Sequence, residues 1–125
     1  MEPYLMLRAS LALFGTAAAG GLLMAGMRFN GLPRPPAWLA MGHGLLASAG
    51  LTLLVYAALT VGIPNMALVA LGLLVIAAIA GAALNLLFHW KELPLPVPLM
   101  VLHGLLAVAG FVFLLMSVFF PSQSA

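Results

Sequence analysis

Pro36-Ala-Trp-Leu-Ala-Met-Gly-His-Gly-Leu-Leu-Ala-Ser-Ala-Gly50 returns sixty residues later as Pro96-Val-Pro-Leu-Met-Val-Leu-His-Gly-Leu-Leu-Ala-Val-Ala-Gly110. Extended without a gap, the alignment matches Pro36 with Pro96, Leu39 with Leu99, and the run His43 to Ala47 with the run His103 to Ala107. It also matches Ala49 with Ala109, Gly50 with Gly110 and Leu54 with Leu114. The chain reads as a tandem duplication of a two-helix hairpin, which places His43 and His103 at equivalent points of equivalent helices. At 100° per residue, positions 36, 39, 43, 47, 50 and 54 fall within about 40° of the direction of His43. All six are identical between the halves, whereas Ser48, Thr52 and Tyr56 on the opposite face stand against Val108, Val112 and Met116. The shared stripe faces either a common guest or simply the other helices.

Composition fixes the solvent. With 66% apolar and 5% charged residues in 125, and a mean hydropathy of +1.26, the chain has far too little charge for a soluble domain, where about a quarter of residues are charged. The six charged residues, Glu2, Arg8, Arg28, Arg34, Lys91 and Glu92, leave apolar runs long enough for a hydrocarbon core of about 30 Å. The spacing predicts spans over Tyr4–Met27, Pro36–Val61, Pro64–Phe88 and Pro96–Phe120. The fold class is therefore an all-α integral membrane four-helix bundle, a single transmembrane domain over residues 1–125, with one repeat over about 4–61 and the other over about 64–120.

The first span, with Arg8 followed by an apolar stretch, imitates a secretory signal. It aligns with the third span through Ala17 and Ala77, Ala18 and Ala78, and Gly21 and Gly81, which argues for a retained helix. Its small-residue run Gly15–Gly21 suits close helix packing. Arg28–Pro36 and His89–Pro98 are proline-rich loops, Gly62–Asn65 is a short uncharged turn, and a short polar tail follows Pro121. Both proline-rich loops lie on one side with Arg28, Arg34 and Lys91, against Arg8 on the other. The positive-inside tendency then puts the loops in the cytoplasm and both termini outside, in a bacterial inner membrane. Trp38, Trp90 and Phe29 read as interfacial anchors, His89 (aligned with Phe29) as an interfacial residue, Arg8 as a snorkelling side chain, and Asn85 as an interhelical hydrogen-bonding group.

Several chemistries are excluded. Without cysteine there is no disulfide, thiolate metal site, iron-sulfur cluster or c-type haem attachment. Glu2 and Glu92 both lie near boundaries, so there is no carboxylate pair, no intramembrane coupling acid and no nucleophile with an evident base. Nothing points to nucleic acid.

His43 and His103 each lie roughly 10 Å inside their helices. In an up-down bundle these helices are diagonal, roughly 14 Å apart, too far for the imidazoles to meet directly. The gap suits two axial ligands on an iron porphyrin, each nitrogen within roughly 2 Å of the metal. Ala47, Gly50, Ala107 and Gly110 present little side chain below the histidines, and Gly44 and Gly104 widen the approach beside them. Arg28, Arg34 and Lys91 are the cations available to propionates.

In style these residues resemble the small four-helix membrane cytochromes b of the cytochrome b561 type. The resemblance rests on His43-Gly-Leu-Leu-Ala and His103-Gly-Leu-Leu-Ala in a four-span architecture. It implies haem b on membrane-helix histidines, and one matched pair implies one haem. The leading expectation is a b-type haem protein passing electrons to or from a quinone or a larger respiratory or photosynthetic complex, an electron carrier rather than a catalyst. The alternative is a cofactor-free accessory or assembly subunit, or homo-oligomer, whose small-residue faces at Gly20 and Gly21 hold a partner. Movement of a small solute or proton is a third possibility, with only Thr16, Ser48, Thr52 and Tyr56 to line a route.

Overall fold

Four long helices make up the chain. The computed structural model describes residues 2–121, and the polar tail beyond Pro121 lies outside them. α1 spans Pro3–Phe29, α2 Ala37–Thr60, α3 Asn65–Ala83 and α4 Val97–Phe119; a π-helical stretch, Leu84–His89, prolongs α3. All four are long and apolar enough to cross a membrane, as their composition requires in a solvent that cannot satisfy exposed backbone groups. Proline marks all four starts: α1 opens on Pro3, and Pro36, Pro64 and Pro96 precede α2, α3 and α4, whose first N–H groups have no side-chain cap. α1 differs, with the Glu2 carboxylate accepting from the N–H groups of Tyr4 and Leu5 at 2.8 and 3.2 Å.

Packing is concentrated within the hairpins α1/α2 and α3/α4 and is thinner along the seams α1/α4 and α2/α3, leaving α2 and α4 diagonal. The densest core, with Leu7, Phe14, Leu54, Ala67, Ala70, Leu74, Leu114 and Val118, lies in the half of the bundle away from the proline-rich loops. There Ser10, fully buried, donates its hydroxyl to the Gly50 carbonyl at 2.8 Å. The loop-side half holds His43 and His103 with Gly20, Gly21, Gly44, Gly81 and Gly104 instead.

Two boundaries differ from expectation. Arg28 belongs to the last turn of α1, where its charge complements the helix dipole, rather than to a loop. His89 likewise ends a helix, but a widened one: the Trp90 N–H reaches back five residues to the Asn85 carbonyl at 2.9 Å. Asn85 was expected to bridge helices; among the described residues its side chain has no hydrogen-bond partner, and only its carbonyl serves, in this wide turn.

The wide turn corrects one correspondence. Up to Gly21 and Gly81 the hairpins match at an offset of sixty. Beyond it, the bond from Leu32 N–H to Met27 O is matched by one from Leu93 N–H to Phe88 O, an offset of sixty-one. His89 is thus the counterpart of Arg28, not of Phe29. Their bonds agree: Arg28 Nε donates to Leu95 O at 3.0 Å, and His89 Nε2 donates to Pro35 O at 2.9 Å. Each hairpin reaches over to the other's loop, and Leu95 N–H adds a bond to Pro33 O at 3.1 Å.

Candidate functional site

His43 and His103 are half-buried, and their rings converge on the bundle axis from the diagonal helices. The ring centroids are 6.1 Å apart with the planes crossing at 78°. The expected separation was too large because it was counted between helix axes; each side chain spans several ångströms of it. Neither ring bonds the other. His43 Nδ1–H donates to the Ala17 carbonyl of α1 at 2.7 Å, and His103 Nδ1–H donates to the Ala77 carbonyl of α3, also at 2.7 Å. A carbonyl only accepts, so Nδ1 carries a proton in each ring, and in the neutral form of the ring the lone pair is on Nε2. Among the described residues neither Nε2 has a partner.

Glycines set this geometry. A Cβ added at Gly21 would lie 3.0 Å from His43 Cε1, and one at Gly81 would lie 2.9 Å from His103 Cε1. The imidazoles therefore lie flush against the backbones of α1 and α3. Gly20 faces inward too, its added Cβ at 3.9 Å from His43 Cβ and Leu39 Cδ1. Gly20 and Gly21 thus pack against α2 within the bundle, where a side chain would meet His43 or Leu39.

The room expected below the histidines is filled. Gly50 and Gly110 do not line a hollow; they seat large side chains from the neighbouring helix. An added Cβ at Gly50 would lie 3.0 Å from Phe14 Cε2, and one at Gly110 would lie 2.7 Å from Leu74 Cγ. Phe14 and Leu74 so form the floor beneath the imidazoles, two turns down. Ala47 packs against the core, and Ala107 is half-buried. Gly44 and Gly104 have nothing within 4 Å of an added Cβ and look outward. Of the three cations, Arg28 has its Nε committed to Leu95 O, Arg34 is half-buried in its loop, and Lys91 is exposed.

The donor set fits a bis-histidine iron. Two metal–nitrogen bonds of about 2 Å, plus the two ring radii, span about 6 Å from centroid to centroid, and a ligating histidine ordinarily donates its other N–H to a carbonyl. Space for the macrocycle is not open between the rings. One surface groove among the described residues lies at Leu32–Ala37 and His89. Another lies between α1 and α4, along Leu22, Ala25, Gly104, Leu105 and Val108. A porphyrin would have to part the hairpins along their thinly packed seams.

Sequence reasoning missed Ala17, Ala77, Gly21 and Gly81 as parts of the site. They were in view as identities sixty residues apart, but the glycines were read as helix packing alone. Searches against protein families, curated proteins and solved structures find no match to this chain.

Proposed function

We propose that the chain is a single-haem membrane protein that passes electrons, with His43 and His103 as axial ligands of a b-type haem. The observation that carries this reading is the pairing of two imidazoles whose ring centroids lie 6.1 Å apart, each pinned through Nδ1 to a carbonyl so that Nε2 is left to ligate. Ligation needs neutral imidazoles with a fixed tautomer, and an apolar surrounding favours ligation by neutral donors over burial of a charged ring. When bound, the haem would supply a one-electron couple, and two axial histidines favour electron transfer over oxygen chemistry. The residues' own part is to hold tautomer and orientation; Gly21 and Gly81 admit the rings, and Phe14 and Leu74 close the site from below.

Other observations support further parts of the reading. Recurrence of the histidine-to-carbonyl bond at an offset of sixty supports descent of the two hairpins from one. Arg28, Arg34 and Lys91 on the loop side support cytoplasmic loops; Arg34 and Lys91 remain the cations for propionates, with a quinone or larger respiratory or photosynthetic complex as redox partner. Haem titrated into detergent-purified protein should give a one-to-one complex with a sharpened Soret band and the split α and β bands of low-spin iron. Absence of that spectrum would sink the proposal.

A second reading is favoured by the closed packing at the rings. There the two histidine bonds are interhelical clamps, each worth about 0.6 to 1.7 kcal/mol in a membrane bundle, in a cofactor-free subunit of a larger assembly. It predicts no haem spectrum, and a loss of stability alone when a histidine is removed.

A further inference from the structure

The groove at the loop-side end of the α2/α3 seam shares only Arg34 with the haem reading, which uses that residue as one of two cations for propionates. It measures about 390 Å³ and is lined by Leu32, Pro33, Arg34, Pro35, Ala37 and His89 among others. No acid lines it: Glu2 lies at the opposite end of the bundle, and Glu92 is exposed outside the groove. His89 holds one wall in place, since its Nε2–H is committed to Pro35 O, while its Nδ1 has no partner among the described residues. Trp38 and Trp90, adjacent in sequence to the lining residues Ala37 and His89, are 72% and 67% exposed. Indole side chains settle at headgroup depth, so this pair sets the groove at the level of lipid phosphates.

We propose that this groove binds the phosphodiester of an anionic glycerophospholipid, anchored by the Arg34 guanidinium. A phosphodiester meets a guanidinium in paired, charge-assisted hydrogen bonds. The proline walls meet the glycerol and upper acyl carbons, and the lipid tail continues down the exposed outer surface of α2 and α3. Lipid binding here does not require haem, and the quenching test is run on haem-free protein, where no propionate competes for Arg34.

The chain has only two tryptophans, and both flank the groove, so their fluorescence reports its occupant. The test is quenching in phosphatidylcholine bilayers by brominated phosphatidylglycerol, compared with brominated phosphatidylcholine. The expected result is a preference of about fivefold for the anionic lipid, the worth of one well-placed cation near a membrane surface. Arg34→Gln should bring it close to unity, Arg34→Lys should keep most of it, and Lys91→Gln should leave it intact. Equal quenching in the wild type overturns the proposal. So does an equal loss in Arg34→Gln and Lys91→Gln, which would mark diffuse surface charge. Abolition of the preference by millimolar inorganic phosphate would also overturn it, assigning the groove to the free anion.

Discussion

Replacing His103 by alanine should abolish the low-spin haem spectrum, and replacing His43 should do the same. Removing even an outer-shell partner of a ligand typically costs 10- to 100-fold in metal affinity, so removing a ligand should cost more. The two variants should be alike, because each ring has the same carbonyl partner, the same glycine wall and the same free nitrogen. Loss of the clamp will not unfold the chain: the Ala77 carbonyl sits within α3, where the helix itself supplies a partner, and the far-half core is untouched. Reduced-minus-oxidised spectra of reconstituted variants decide the matter. A spectrum that survives either substitution would show that the histidines are clamps and not ligands.

The second large effect is steric. Gly81→Val introduces a side chain whose Cβ alone would stand 2.9 Å from His103 Cε1, with backbone on one side and a pinned ring on the other. The ring must leave Ala77 O or the hairpin must open, and overpacking of this kind costs about 1 to 3 kcal/mol. Gly21→Val should behave likewise against His43. Gly44→Ala is the contrast: nothing lies within 4 Å of its added Cβ, so it should be neutral or stabilising by up to about 1 kcal/mol through helix propensity. Thermal unfolding in detergent, followed by circular dichroism, checks the order. A Gly81→Val variant as stable as wild type would refute the flush packing of ring on backbone.

The four helices, their starts and the loop-side placement of both histidines were legible from hydropathy and proline position, because bilayer thickness and the fixed φ of proline leave few alternatives; the ends at Arg28 and His89 were not. Orientation of the histidine stripe was legible too: His43 and His103 do face the axis. What an α2-to-α4 alignment cannot show is what the other pair of helices inserts there. Gly50 and Gly110 look like empty space until Phe14 and Leu74 are placed on them, and those two differ in residue type, so no identity marked them. The Arg28 and His89 bonds were hidden for another reason. Both end on main-chain carbonyls, Leu95 and Pro35, and a carbonyl leaves no trace in residue type.

The π-helical stretch carries a consequence for how such a bundle tolerates length change. Relative to α1, the second hairpin fits one more residue before its loop, and hydrocarbon offers no water to stabilise a looped-out peptide unit. Spread over Leu84–His89, the surplus leaves the ladder bonded, its last N–H reaching back to Asn85. The widened turn works as a register shim, rotating the tip of one helix by about 100° so that a histidine arrives where the other hairpin uses an arginine.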